Sequence, residues 1–339
     1  MPSVNVAGHT ANVDLLDRLD LETPVVQAGM GGGISRGALA GAVSAAGGLG
    51  TVGILPPELM RREVERAREI APGRPVAVNL LMPFTTAAHV DVCTELRPAA
   101  VVLFCGYDPG LVSRLREAGV LVLHQIGSVE QATRALRDGA DGLVVQGVEA
   151  GGHVLATRPL ADLLPEIRAL APSNPLLAAG GIATAADSRV ALAAGADAVV
   201  AGTRFLLTEE CDAHPAYQQR VIDAEHTVLT TLFGLGWRDP HRVVPNAAVR
   251  RWCDDEGAER RLPAMLSRAM LPLARRVPLA HAGRVTRLQR AGVPVFSPAA
   301  MLRGDRDRLV DVTPLYAGAA VDRMHDILPA AAAVRLLTP

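Results

Sequence analysis

The chain has 339 residues, 49% of them hydrophobic, enough for one large α/β domain or such a domain with a smaller insertion, and too apolar to be mainly disordered. Its formal net charge of −1 gives no electrostatic reason to bind nucleic acid or an anionic membrane, since both demand a basic surface, and leaves a small-molecule partner as the expectation. All 34 basic residues are arginines, and the absence of lysine excludes a Schiff-base nucleophile and a phosphate-loop lysine.

At the start of the chain, MPSVNVAGHTANVDLL has no basic leader followed by an apolar core, and no later apolar run reaches membrane-spanning length without a charge, glycine or proline. A cytoplasmic protein is expected. From residue 25 to about 205, short valine-rich runs alternate with amphipathic segments. The predicted strands are VVQAGM (25–30), LGTVGI (49–54), VAVNLLM (76–82), AAVVLFCG (99–106), VLVLHQIG (120–127), GLVVQG (142–147), PLLAAGG (175–181) and AVVAGTRF (198–205). Helical patterns such as PELMRREVERAREIA and VEQATRALRDG lie between them, most ending in glycine. GADGLVVQG and GADAVVAGT look like copies of one βα design. Eight such units predict an α/β fold of the (β/α)8 TIM-barrel type. A doubly wound sheet is the alternative, but GMGGGIS after the first strand matches its phosphate fingerprint only loosely.

After Phe205 the alternation stops. Helical segments HPAYQQRVIDA and AMLSRAMLPLARRV, with the irregular stretch FGLGWRDPHRVVPN, predict a mostly helical insertion or lid over residues 206–300. The barrel is expected to comprise residues 1–205 and 301–339, with AVDRMHDILPAAAAVRLL as a final helix packed on it.

Barrel enzymes build their sites at the C-terminal ends of the strands. The groups expected there are Gly29, Met30 and Gly31 after the first strand, Asn79 on the third, Gln125 on the fifth, and Gln146 with the EAGGH loop after the sixth. Gly180 and Gly181 follow the seventh strand, and Gly202 and Thr203 the eighth. Paired glycine turns at these last two positions point to a phosphate-bearing ligand, because glycine lets backbone N–H groups approach an anion; tight βα turns alone would also use them. Asn79, Gln125 and Gln146 are amides in apolar strands, costly to bury without partners, and a flat heteroaromatic ring would satisfy them as well as ordinary core hydrogen bonds would.

The strings PVVQAGMGGGISRGALAGAVSAAGGLGTVG, VNLL, GVEAGGH, AAGGIAT, AGTRFL and PLYAGAAVDRMHDILPA together resemble the FMN-dependent nitronate monooxygenase family, formerly called 2-nitropropane dioxygenases. The same superfamily includes FMN-dependent enoyl-acyl-carrier-protein reductases and NADH:quinone reductases. The resemblance implies FMN with its phosphate on Gly180, Gly181, Gly202 and Thr203 and its ring near Gly29, Met30, Gly31, Asn79, Gln125, Gln146, Gly151 and Gly152. It implies that His153 faces the flavin: in monooxygenases it serves a nitronate that reduces FMN before O2 reacts, in enoyl reductases it assists protonation after hydride transfer from NAD(P)H. It admits NAD(P)H as an electron donor and a homodimer as the assembly. Three positions depart from the pattern. Gly29 stands where many members have proline, GGHVLA lacks the glycine that often follows the histidine by two positions, and Gln125 stands where some carry lysine. A non-enzymatic phosphate-ligand-binding barrel is the alternative outside enzyme chemistry.

Histidine suits acid–base work because its ordinary pKa lies near neutrality, and Gly151 and Gly152 let the His153 loop fold close to a ligand. Glu149 either orients His153 or is a solvated loop charge. His124 reads as a core or supporting group, and Trp237 and Phe233 as packing of the lid. His214, His226 and His241 have no metal-ligand spacing, so no metal is expected, and Cys93, Cys105, Cys211 and Cys253, with no CxxC pair, read as reduced thiols.

Overall fold

The computed structural model describes residues 15–235, 237–274 and 286–339. The first fourteen residues, on which the expected absence of a leader rests, and residues 275–277, the end of the expected helix AMLSRAMLPLARRV, lie outside the described residues.

The strands, in chain order, are β1 (Val25–Gln27), β2 (Gly50–Val52), β3 (Val76–Leu81), β4 (Ala100–Phe104), β5 (Leu121–Ile126), β6 (Gly142–Gln146), β7 (Gly152–His153), β8 (Leu176–Ala179), β9 (Ala198–Ala201), β10 (Val228–Thr230) and β11 (His241–Val243). Eight of them are parallel and hydrogen-bonded in the order β1-β9-β8-β6-β5-β4-β3-β2. Leu49 closes the ring: its N–H donates to Val25 O at 3.0 Å, and its carbonyl accepts from Gln27 N at 2.9 Å. The fold is a (β/α)8 barrel, and this closure rules out the open doubly wound sheet.

Both faces of these strands are buried, which is why they read as continuous apolar runs rather than as alternation. One face fills the barrel with Val26, Ala77, Val102, Leu123, Val144 and Leu177, joined at the N-terminal end by Leu15 and Leu19 of the first helix. Strand side chains alternate, so Asn79, Gln125 and Gln146 point the same way as Ala77, Leu123 and Val144, one step nearer the C-terminal end. The other face packs on helices such as Pro57–Ile70, Val129–Arg137 and Ala185–Ala193. The last two start where the sequence signals them, with Ser128 accepting from Gln131 N and a Thr184/Asp187 capping box.

Two elements differ from the sequence expectation. AVVAGTRF is a strand only to Ala201; at Gly202 it turns into the short helix Thr203–Leu206. The C-terminal segment is not one helix but a 3-10 turn (Ala319–Arg323), an extended connection and the helix Ala330–Leu337, because Pro329 at the N-cap disfavours a helical Leu328. That helix packs against Gly37–Ala45 and Ala185–Ala193, the slot an eighth barrel helix fills.

Between residues 206 and 300 lie the helices Pro215–Ile222, Ala247–Trp252 and Arg261–Ala274 and, in a segment the sequence predicts to be mostly helical, strands β10 and β11. They form an antiparallel sheet with β7, in which His241 pairs with His153 and Arg242 with Gly152. This sheet ties the segment after the barrel to the loop that carries His153.

Candidate active site

A cavity of about 1270 Å³ opens at the C-terminal ends of the barrel strands. Gly29, Met30, Gly31, Asn79, Gln125, Gln146, Gly151, Gly152, His153, Gly180, Gly181, Gly202 and Thr203 all line it. Val26, Val102, Val144 and Leu177, which belong to the barrel interior, form its apolar floor.

The amides play different parts. Asn79 donates from Nδ2 to Val102 O at 3.0 Å, while its Oδ1 is buried without a partner. Gly29 belongs to this contact: a Cβ there would stand 2.2 Å from Asn79 Cβ, so the close approach of the chain after β1 to Asn79 on β3 demands glycine. Gln146 spends its amide on the loop: Nε2 donates to His153 O at 2.9 Å, and Oε1 accepts from Leu155 N at 3.1 Å. Gln125 is half-buried on the cavity wall.

The loop from 147 to 154 is fixed along its length. Arg242 donates to Val148 O at 2.7 and 3.1 Å, Ala319 N donates to Glu149 O at 2.8 Å, and Val154 N donates to Pro240 O at 2.8 Å. The Glu149 carboxylate accepts from Leu160 N at 3.1 Å and caps the helix Leu160–Leu170; it therefore serves the loop's structure, neither orienting His153 nor standing free in solvent.

His153 is buried, and its Nε2 has no hydrogen-bond partner. Its ring stacks on Trp237, with centroids 3.5 Å apart and planes within 7°, and meets His241 at 5.1 Å and Tyr316 at 5.7 Å. Burial, and secondarily the neighbouring His241, hold its pKa well below the ordinary 6.5, so the imidazole is neutral at pH 7. His241 receives Phe233 N–H at Nε2 (3.3 Å) and donates from Nδ1 to Asp239 O (3.1 Å), which fixes its tautomer; burial lowers its pKa to about 4. His124 stays out of the cavity and stacks on Tyr107 at 4.6 Å.

Sequence reasoning missed His241 and Tyr316 as site residues and took Trp237 for packing alone. His241 and Trp237 lie in the predicted lid and Tyr316 in the motif PLYAGAAVDRMHDILPA, positions that alone give none of them a role; the β7–β11 pairing that brings His241 to His153 joins segments far apart in the chain. Gln27, also missed, receives Thr51 N–H at 2.9 Å on the cavity wall.

The far end of the cavity suits an anion. Gly180 and Gly181 have φ of +125° and +71°, conformations that side chains rarely adopt, and they leave the backbone bare. Gly318 N donates to Thr203 Oγ1 at 2.9 Å, and Arg323 donates to Gly181 O at 2.9 Å while pairing with Asp187, so the C-terminal segment borders both turns. A flavin fits these groups: bare glycine turns suit its phosphate, and the orphaned Asn79 Oδ1 suits a ring N–H, since an unpaired buried acceptor costs about 1–3 kcal/mol. Among the described residues no cluster of three or more His, Cys, Asp or Glu could hold a metal ion, and no helix is long and apolar enough to cross a membrane.

Comparison with known proteins identifies the family. The family model for nitronate monooxygenase matches residues 13–91 and 84–339. A probable nitronate monooxygenase of Bacillus subtilis is 30% identical over 267 residues, which cover 65% of this chain and 76% of that protein. Among solved structures, FabK from Thermotoga maritima superposes with a TM-score of 0.77 at 26% identity, covering 97% of this chain and 95% of that one. Nitroalkane oxidase from Streptomyces ansochromogenes gives 0.72 at 29% identity, covering 96% of each chain. The chain therefore belongs to the nitronate monooxygenase family, a family of flavin-dependent oxidoreductases.

Proposed function

We propose that the chain is an FMN-dependent nitronate monooxygenase that oxidises alkyl nitronates and nitroalkanes with O2, with His153 as the acid/base group that takes the Cα proton of the nitroalkane. The observation that carries this reading is the buried, unpartnered Nε2 of His153 in a cavity shared with every residue expected to hold the cofactor. In this reading Gly180, Gly181, Gly202 and Thr203 hold the FMN phosphate. Asn79, Gln125, Gln146, Gly29, Met30 and Gly31 border the ring, and Gly151 and Gly152 carry the loop past it. When bound, FMN supplies the redox chemistry, taking electrons from the substrate and passing them to oxygen.

The protein's part is to bind, to exclude water and to handle one proton. His153, neutral at pH 7, has a lone pair with which to take the Cα proton that separates a nitroalkane from its nitronate. Burial disfavours the imidazolium and so favours passing the proton on. Ile54, Leu81 and Phe84 make an apolar wall that suits the alkyl part of a substrate.

The overlap with FabK along 97% of the chain favours a second reading, an NAD(P)H-dependent reductase of enoyl thioesters or quinones in which His153 gives a proton. Membership of an oxidoreductase family sets aside the non-enzymatic binding barrel. Anaerobic mixing of the FMN-loaded protein with ethyl nitronate, and separately with NADH or NADPH, decides between the two. Bleaching of the flavin by the nitronate alone is expected. Rapid bleaching by NAD(P)H with none by the nitronate would replace the monooxygenase reading with the reductase.

A further inference from the structure

We infer that Trp237 is a positioning residue for His153: its indole, tethered by Asp239, lies flat on one face of the imidazole and fixes the plane of the ring in the cavity. This rests on the reading of His153 as the acid/base group.

The backbone of His153 is well held, by its pairing with His241 and by Gln146 on its carbonyl, but these contacts stop at the main chain. The torsion that turns a histidine ring is broad, and Nε2 makes no hydrogen bond that would set it. Ring contacts must therefore set the plane. Of the three, only Trp237 is face to face, at 3.5 Å and 7°; His241 and Tyr316 touch at tilts of 53° and 46°. The indole is itself anchored. Its Nε1–H donates to Asp239 Oδ2 at 2.6 Å, Phe84 meets it edge-on at 5.5 Å, and its backbone N–H donates to Gly234 O at 3.1 Å. Asp239 in turn lies beside the Cys105 thiol, one residue past the end of β4, which ties the arrangement to the barrel rim. A displacement of about 1 Å in a catalytic group costs on the order of 100-fold in rate, so a ring held this way has a rate to protect.

The titratable groups around the imidazole are His241 on β11 and Tyr316 on the C-terminal segment, both in ring contact. Asp239 reaches it through the indole, and Tyr217 and Arg238 line the same cavity.

The test compares Trp237→Ala, Trp237→Phe and Asp239→Ala with the FMN-loaded parent, using nitroethane turnover across pH and the ring-proton resonances of His153, assigned by their loss in His153→Asn. Trp237→Ala is expected to lower kcat about 10- to 100-fold with little change in KM. It should also remove the upfield displacement of the His153 resonances and move the acid limb of kcat/KM up towards 6.5, as water reaches the ring. Trp237→Phe and Asp239→Ala should fall between, and they decide the matter if Trp237→Ala does not fold. A raised KM with unchanged kcat and acid limb would make Trp237 a wall of the substrate pocket and overturn the proposal, as would His153 resonances that stay in place. Full turnover by His153→Asn would instead refute the reading of His153, and the proposal with it.

Discussion

Acidification should destabilise this fold well before its carboxylates titrate. His124 and His241 are 2% and 0% exposed, and burial lowers both pKa values from 6.5 to about 4. On unfolding each returns to its ordinary value, so the unfolded chain takes up protons first as the pH falls. Their contribution is complete above pH 6.5 and is lost as the pH falls from 6.5 towards 4. Each unit is worth about 1.4 kcal/mol per group, so at pH 5 each has lost about 2 kcal/mol, or about 4 together, against a total stability of about 5–15 kcal/mol. His153 and His89, also lowered chiefly by burial, add to the loss with the same sign, whereas the raised carboxyl of Asp212 opposes it at lower pH. The check is urea unfolding at pH 7.5 and pH 5.0 at constant ionic strength, on the parent and on His124→Phe, which keeps a ring against Tyr107. The parent should lose at least about 4 kcal/mol between the two, and His124→Phe about 2 kcal/mol less. Equal stability at both pH values, or a variant with the parent's pH dependence, would refute the assignment of buried neutral histidines.

Other consequences concern the cofactor cradle and the loop. Gly180→Val places a side chain at φ +125° in the proposed phosphate turn; it should cut the FMN retained on purification, read from the visible-to-280 nm absorbance ratio, with far-ultraviolet circular dichroism unchanged. Asn79→Leu removes the orphaned Oδ1 and should weaken FMN binding about tenfold in a fluorescence titration. Gln146→Leu removes both hydrogen bonds that hold the His153 loop; it should cost about 1–3 kcal/mol in denaturant unfolding and lower kcat more than it raises KM.

What the sequence made legible follows from which forces are local. The eight barrel strands are short apolar runs bounded by turns, and the helices between them carry their own caps, such as Ser128 and the Thr184/Asp187 box, so periodicity and capping located them. The thirteen expected site residues share one cavity because a barrel places the C-terminal ends of all its strands on one rim. Strands β10 and β11 were not legible, since three residues each give too little pattern, and their stability comes from pairing with each other and with β7. The same long-range pairing hid His241, which reads along the chain as one more scattered histidine. Trp237 is a packing residue by any local criterion; only the fold places its ring on His153. Glu149 read along the chain either as orienting His153 or as a solvated loop charge, yet its carboxylate satisfies the free N–H of Leu160, a need that only the position of that helix reveals. Pro329 did announce the break in the last helix, and the apolar periodicity around it masked the signal.

The most direct test of the account is nitroethane-dependent oxygen uptake by the FMN-loaded protein in the absence of NAD(P)H, measured for the parent and for His153→Asn. The account predicts uptake by the parent and a loss of about 100-fold or more in the variant, with flavin content unchanged. No uptake without NAD(P)H, or a variant that consumes oxygen at the parent's rate, would contradict it.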